Sequence, residues 1–548
     1  MDSIVPAGHH TSATFSDAQI VRLQSYGIPF DVTEGEILYR VGDSTYDLIL
    51  IDKGSAEIVR ERRADADEKV VAREGAGGIL GEMGLLSGQA VYLTARMTTA
   101  GSIHRITPTE LRRLMADDAD LSEILLRTFI ARRNELKDSA ARSLEIIGDE
   151  RHADSLSLRT YAARMQLPHE WVDVASDEFT QLAQALNFTV EDLPVVVVNG
   201  DVITKATSGL LADRLGLSYR PASTEADLVV IGAGPAGLAA AVYGSSEGLQ
   251  TVLLDAVGPG GQAASSSRIE NYLGFPNGLS GGELTGRAHL QALKFGTSVY
   301  SPCEVRALSQ TADGHVVELA DGTVFSARAV VFATGARYRN LPLDRWAEFE
   351  GAGIYYAATE IETRRLTGLP VTVVGGANSA GQAAIFLASK NCAVTLIIRG
   401  EDIRLGMSSY LVERILTDPL ITVRTGTQVA ELHGQDYLDG LTIATGETHS
   451  DIPCSALFCF IGAVPASELL HDVAVDEKGF ILTDSDIPDG DLGGTWSARG
   501  TRPLPFETNI PGLFAVGDVR HGSMKRVAAA VGEGASAVAS AHVAIARH

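Results

Sequence analysis

Cysteine is scarce in this chain: four in 548 residues, at Cys303, Cys392, Cys454 and Cys459. No two are spaced as CxxC, which excludes a redox dithiol of that spacing. Cys454 and Cys459 bracket SALF in an apolar, strand-like run, where alternate residues face opposite sides. All four read as buried, inert thiols in a reducing, cytoplasmic compartment. Long apolar runs are also absent; nothing approaches about 18 consecutive residues, so no membrane-spanning helix is expected. The opening MDSIVPAGHHTSATFSDAQ lacks a basic stretch followed by an apolar one, so no signal peptide is expected. Positive charge is short as well: 45 Lys and Arg face 69 Asp and Glu, for a net charge of −24. Such a balance argues against bulk attraction to nucleic acid or an anionic membrane, a local basic patch apart. No metal site is assigned.

What is present is ordinary core-forming composition, 45% hydrophobic and 21% charged. At roughly 100–200 residues per domain the length suits three to five domains. Residues 28–107 read as short strands separated by turn signals, which points to a small β-barrel or sandwich. From Pro108 to about Ala141 the period turns helical, with Leu121, Ile124, Leu125 and Phe129 on one face. Residues 143–217 read in the order β-α-β-α-β-β-α, with Pro194 opening the third strand. The polar, proline-containing stretch 218–226 reads as a linker. From Asp227 the pattern is doubly wound α/β, with glycine-turn units at 228–255 and 371–399 that suggest two bound dinucleotides.

The first unit, DLVVIGAGPAGLAAAVYGSSEGLQTVLLDA, is strand, turn, helix, strand. Gly232 permits the tight turn, Gly234 lets backbone approach a diphosphate, and Gly237 allows close helix–strand packing, with Pro235 and Ala236 opening the helix. The helix N-terminus offers amide donors to the anion. Asp255 ends the second strand, where a carboxylate can accept from a ribose hydroxyl. The second unit, VTVVGGANSAGQAAIFLASKNCAVTLIIRG, repeats the plan with Gly375, Gly376, Asn378 and Ala380 at the turn and Ser379 as helix cap. Its second strand ends at Ile398 and Arg399 with no acid. Arginine there accommodates a 2′-phosphate, so NADPH is favoured over NADH.

Three further stretches, GPGGQAASSSRIENYLGFP, VVFATGARY and IPGLFAVGDVRHGSMKRVAAAVGEG, follow in that order. Together they make residues 226–548 resemble the thioredoxin-reductase-like flavoproteins. The resemblance implies FAD, with Gly260, Gly261 and Gln262 near the flavin, Asn271 lining its pocket, and Ala333, Thr334 and Gly335 beside it. It places Asp518, after Gly517, at the ribityl and diphosphate region. It aims the helix starting near Arg526 and Val527 at the flavin ring, where a helix N-terminus stabilises negative charge. Of the family's NADPH-binding cluster, Arg399 and Arg404 occupy two positions, while Ile398 and Gly400 replace a histidine and an arginine. The family's CxxC positions carry Ala357 and Glu360. The resemblance also implies a homodimer, an FAD domain at 227–341 and 455–548, and an NAD(P)H domain at 342–454. It implies that the latter rotates about hinges near 340–344 and 451–455.

Residues 142–217 resemble a thioredoxin or glutaredoxin fold without its CxxC, Pro194 standing at the cis-proline position; a binding or spacer module is implied. Residues 1–141 resemble a cyclic-nucleotide-binding domain. Gly81 and Glu82 match its ribose-binding pair, but Val91 stands where the phosphate-binding arginine belongs. Arg96, offset by an odd number of strand residues, is expected on the opposite face.

The expected fold is thus multidomain: a β-barrel with helices, a thioredoxin-like α/β domain and two doubly wound, Rossmann-like dinucleotide-binding domains. The expected function is an FAD-dependent NAD(P)H oxidoreductase passing electrons to an unidentified small-molecule or protein acceptor. The alternatives are a redox- or nucleotide-responsive regulator with little turnover, and a ferredoxin- or flavodoxin–NADP reductase-like enzyme. Tyr355, Tyr356 and Glu360 either shape an acceptor pocket or form a packed connector. The loop 484–505 is functional or disordered, and Trp496 within it covers the flavin or simply packs.

Overall fold

The computed structural model describes residues 13–547 apart from 44–45, 61–67, 82–83, 88–90, 92, 139–143, 150–151, 166, 199, 218–223, 267–268, 270, 313, 351, 359 and 436. The linker reading at 218–226 falls largely outside these, and the following strand, Glu225–Ile231, already begins within it.

Two long antiparallel strands, Leu48–Arg60 and Thr94–Ile106, form the spine of the N-terminal six-stranded sheet. Alternation sends Ala95 and Met97 into the core and Arg96 to the other face, as expected. The helical segment is broken at Asp118 into Pro108–Asp117 and Ala119–Asp138, because the Asp118 carboxylate accepts from the Leu121 amide and starts a new helix. Leu121, Leu125 and Phe129 are fully buried and Ile124 half-buried. Leu290 and Leu293 belong to the same apolar core, although they lie on the helix Gly281–Lys294 of the dinucleotide region.

The middle segment has the expected element order. Leu144–Gly148 pairs parallel with Glu170–Asp173 and antiparallel with Val195–Val198, and Asp201–Ile203 lies outermost. Alternate residues face two cores: Ile146, Val196 and Val198 pack under the helix Ala153–Arg164, and Ile147, Val195 and Val197 under Asp177–Leu186. The Leu193–Pro194 peptide is cis.

In the first dinucleotide unit, Glu225–Ile231 runs parallel between Thr251–Leu254 and Val324–Phe332, with Ser298–Tyr300 and Leu513–Ala515 completing the parallel part. In the second, Pro370–Val374 lies parallel between Ala393–Ile397 and Ala456–Cys459. The chain crosses between the two units through the paired segments Ala336–Tyr338 and Ala463–Pro465. The first crossing adjoins the expected 340–344. The second does not lie at 451–455: Ala456–Cys459 is a buried strand of the second unit's sheet, so the chain leaves only after residue 459.

The C-terminal helix Val527–Ala546 is long and apolar enough by composition to cross a membrane. Here it packs on the helix Pro235–Ser246 so closely that a Cβ at Gly534 would lie 2.0 Å from the Ala236 carbonyl oxygen. The 484–505 stretch is ordered, carrying the short helix Gly493–Arg499. Trp496 is buried and donates to the Asn509 carbonyl at 2.7 Å, so it packs its own segment.

Candidate functional site

The first glycine turn has the geometry its residues dictate. Gly232 sits at φ +100°, and a Cβ there would be 2.4 Å from the Ala333 carbonyl oxygen. A Cβ at Gly237 would lie 1.8 Å from the Gly232 oxygen, so helix and turn are in contact. At Gly234 the nearest atom to such a Cβ is Gly261 Cα at 3.9 Å, which leaves open space over the first turn of the helix Pro235–Ser246. No side chain caps that helix; its amides are free to meet an anion. Asp255 does more than wait for a ribose: it accepts from the Ala233 amide at 2.7 Å and from the Val257 and Gly258 amides at 2.9 and 2.7 Å. It therefore ties the glycine turn to the end of the second strand.

Of the other expected residues, Gly260, Gly261 and Gly517 meet this turn. Gly260 and Gly261 have φ +114° and +55°, and the Gly260 amide donates to the Ala233 carbonyl. Gln262 donates its side-chain amide to the Ala336 carbonyl, and Thr334 Oγ1 donates to the Ala466 carbonyl at 2.7 Å. Gly517 at φ +72° packs against Ala236. Burial raises the Asp518 pKa, against Lys525, with Glu533 adding to the rise. Arg526 is the exposed N-cap residue of Val527–Ala546, and no side chain caps that helix either. Asn271 is solvent-exposed.

Three residues here were not singled out from sequence. Tyr338 follows the Ala333–Gly335 stretch, and burial, with the Asp518 charge, pushes its hydroxyl up to about 12. Glu533 accepts from the Gly517 amide at 2.8 Å and from Arg520 at 2.9 Å, fixing the Gly517 turn. Lys525 lies 4.2 Å from the Phe480 ring centroid, and burial lowers its pKa. All three stand inside stretches that carry the family resemblance, but none has a spacing signal of its own.

At the second turn Gly375 has φ +150°, and a Cβ there would lie 2.5 Å from the Phe460 carbonyl oxygen and 3.0 Å from Ala380 Cβ. Gly376 packs toward Ile398. Ser379 does not cap the helix Asn378–Ser389. The N-cap position is Ala377, and Ser379 is an exposed residue of the first turn. Asn378 instead clasps Ser408, donating to its hydroxyl at 3.0 Å and accepting from its amide at 2.7 Å. Arg399 and Arg404 are both exposed at this edge; Arg404 contacts Asp402 at 3.4 Å.

Where a dithiol would sit, Ala357 is half-buried and Glu360 opens the short helix Glu360–Thr363. The two neighbouring tyrosines diverge. Tyr355 leans on Phe458 and lines a 680 Å³ cavity with Leu156, Arg365 and Tyr437. Tyr356 stacks parallel on Tyr338 with centroids 5.3 Å apart. Its hydroxyl accepts from Trp346 Nε1 at 2.9 Å, and its single proton is shared between Glu350 and Asn340, each 2.6 Å away. Burial and then Glu350 raise its pKa. The tyrosines are thus packed, one to each side, rather than lining one pocket. All four cysteines are buried, and burial raises the pKa of each, to about 11 for Cys454 and Cys459. None is poised as a thiolate.

In the barrel, Val91 is buried in the core. Arg96 is held by Glu57 and Glu68 at 2.7 Å each. Gly81 has φ +137°, and its carbonyl accepts from Arg132 at 2.9 Å; Arg132 also binds the Ile79 carbonyl and the buried Glu74 carboxylate. Glu82 lies outside the described residues. The middle segment bonds to both dinucleotide units. Tyr161 donates to the Ser301 carbonyl at 3.2 Å, Tyr437 donates to Asp149, and Arg365 pairs with Asp173.

Comparison with known proteins agrees with this geometry. Residues 226–534 match the family profile described as pyridine nucleotide-disulphide oxidoreductase, and residues 29–118 match the cyclic nucleotide-binding domain. The thioredoxin reductase of Treponema pallidum is 31% identical over 322 residues, covering 58% of this chain and 96% of the relative. That of Streptomyces coelicolor is 32% identical over 320 residues, covering 58% and 92%. The solved thioredoxin reductase of T. acidophilum superposes with a TM-score of 0.52 at 28% identity, over 59% of this chain and 99% of that one.

Proposed function

The chain belongs to the pyridine nucleotide-disulphide oxidoreductase family, and on that footing we propose that it is an FAD-dependent oxidoreductase drawing electrons from NADPH, in preference to NADH. The acceptor is a small molecule or protein outside the chain, reached without an internal dithiol. The observation that carries this reading is the pair of glycine turns, each at the end of parallel strands in its own unit, in a chain with no CxxC.

The residues around the first turn fit FAD: the open face at Gly234 admits a diphosphate, and Gly232 and Gly237 admit nothing larger than hydrogen. When bound, FAD supplies two-electron chemistry, taking hydride from a reduced nicotinamide and releasing electrons to the acceptor. The chain's own work is to hold and orient. Uncapped amides of Pro235–Ser246 would meet the diphosphate. The uncapped start of Val527–Ala546 would stabilise negative charge on the ring. Gly375, Gly376, Asn378, Ser379 and Ala380 would seat the nicotinamide cofactor, and the exposed Arg399 and Arg404 would meet its 2′-phosphate. A homodimer in the cytoplasm is part of this reading.

The test is anaerobic mixing of the purified protein with NADPH. Loss of the visible flavin band is expected; an unbleached band overturns the reading. Added thioredoxin should give no turnover, and a screen of quinones, dyes and one-electron protein carriers would then name the acceptor class.

A second reading, a redox- or nucleotide-responsive regulator with little turnover, is favoured by one observation: the middle segment bonds to both dinucleotide units. In it, a thioredoxin-like module without its thiols serves for docking. Ordinary cyclic-nucleotide binding is disfavoured by Val91, and cAMP and cGMP are expected neither to bind nor to change the rate. Steady turnover at the rate of ordinary reductases would remove this second reading.

A further inference from the structure

Arg164 is the last residue of the helix Ala153–Arg164, in the middle segment, yet its side chain lies against the first glycine unit. A Cβ at Gly258 would be 3.1 Å from Arg164 Cβ and 3.5 Å from its Cδ, so the arginine stem runs along the backbone just beyond Asp255. The Gly258 amide itself donates to the Asp255 carboxylate at 2.7 Å. Neighbouring bonds hold the helix end in place: Tyr161 donates to the Ser301 carbonyl, and Ser301 Oγ donates to Met165 Sδ at 3.3 Å. The segment beyond Asp255 is pinned to the same spot, since the Asp255 amide donates to the Tyr300 carbonyl and the Cys303 amide to that of Asp255.

Asp255 and Tyr338 each act electrostatically on the Arg164 guanidinium, and Tyr338 in turn feels Asp518. Burial lowers the Arg164 pKa more than Asp255 and Tyr338 raise it. Among the described residues no hydrogen bond or ion pair holds it. A partly desolvated cation without a partner is costly, and an anion at that place relieves the cost. By the resemblance Asp255 stands at the ribose and Asp518 at the ribityl and diphosphate region, so a cation acting between them faces the diphosphate.

We propose that Arg164, contributed by the middle segment, is a binding residue for the diphosphate of the flavin nucleotide, so that the dinucleotide pocket is completed by a segment lying outside the matched reductase region. This deepens the FAD assignment and rests on it. The middle segment then has a chemical role without any thiol: it supplies a charge-assisted donor set, and FAD in turn ties it to the first glycine unit.

The test measures FAD affinity on the full chain stripped of flavin, by the change in flavin fluorescence on rebinding, at low and high salt. Arg164→Met keeps the unbranched stem along Gly258 and removes the charge. It should bind FAD about ten- to hundredfold more weakly, with a smaller loss of affinity on adding salt than the parent. Arg164→Lys should fall between. Flavin-free Arg164→Met should melt no lower than the flavin-free parent. Parent protein that does not bind FAD at all defeats the functional assignment; parent that binds while both variants bind equally well defeats this proposal alone. Should Arg164→Met melt early, Arg164→Lys decides: parent-like affinity together with parent-like salt dependence of FAD binding overturns the diphosphate contact.

Discussion

At the scale of single residues, two of the three glycines of the first turn, Gly234 and Gly237, make opposite demands. Gly237→Ala would drive a methyl to within 1.8 Å of the Gly232 oxygen. It is expected to destabilise the flavin-free protein by roughly 3 kcal/mol or more and to abolish FAD binding. Gly234→Ala meets only Gly261 Cα at 3.9 Å, so the flavin-free protein should melt as the parent does while FAD binds at least about tenfold more weakly, the methyl standing where a diphosphate would approach. Melting curves and flavin titration of both variants separate the two effects. Asp518 adds a pH dependence. Its carboxyl pKa is raised in the folded state, so the folded protein holds the proton more tightly than the unfolded chain, and this group's contribution to stability falls as pH rises from the ordinary carboxylate value through the raised one. Asp518→Asn should therefore raise the melting temperature of flavin-free protein at neutral pH, with the gain vanishing below the ordinary carboxylate range. An equal gain at every pH would contradict it. The fingerprint glycines were legible in sequence because their requirement is local. Ser379 was misread because a serine at a helix start has the same appearance at the cap and two residues inside it. The Tyr338–Tyr356 stack was not legible at all, since it joins two segments that only the crossing between units brings together.

Among the elements, the helix Gly281–Lys294 spans two environments. At its start, a Cβ on Gly281 would lie 1.7 Å from the Ala263 carbonyl oxygen, and Thr285 Oγ1 is 2.8 Å from where a Cβ on Gly260 would be, so this turn props the Gly260–Gln262 loop. At its end, Leu290 and Leu293 belong to the barrel core. Leu293→Ala should cost about 2–4 kcal/mol, and the loss should show first as protease cleavage between the barrel and the rest, with flavin retained. Early loss of flavin with an intact barrel would speak against it. Arg132 belongs to the same scale. It closes the Gly81 region through two carbonyls and the buried Glu74, so Arg132→Met removes a charge-assisted donor from that carboxylate and should cost about 1.5–3 kcal/mol, read by chemical denaturation. Period and turn chemistry made the elements of the middle segment and of the two glycine-turn units readable in advance. They could not say which sheet Ala456–Cys459 joins, because a run buried on both faces looks the same in either unit, and the domain boundary slipped by one strand for that reason.

For the whole molecule the question is how freely the two dinucleotide units move against each other. They are joined by two chain crossings paired at Ala336–Tyr338 and Ala463–Pro465, a narrow connection. The middle segment spans that connection. Tyr161 and Arg164 attach it to the first unit, and Asp149 with Tyr437 and Asp173 with Arg365 attach it to the second. If the second unit turns against the first, as the proposed transfer from nicotinamide to flavin requires, one of these sets must break. The second set is the weaker candidate to survive, since its Tyr437 and Arg365 contacts are polar and lie beside a 680 Å³ cavity, whereas Tyr161 is fully buried. If those contacts restrain the rotation, Arg365→Ala combined with Tyr437→Phe should raise the steady-state rate of NADPH oxidation with an artificial dye acceptor several-fold. It should also enlarge the hydrodynamic radius and leave FAD affinity untouched, because neither residue faces the first glycine turn. A rate at or below that of the parent, with the radius unchanged, would show that the middle segment travels with the second unit and leaves Tyr161 and Arg164 as the contacts that yield.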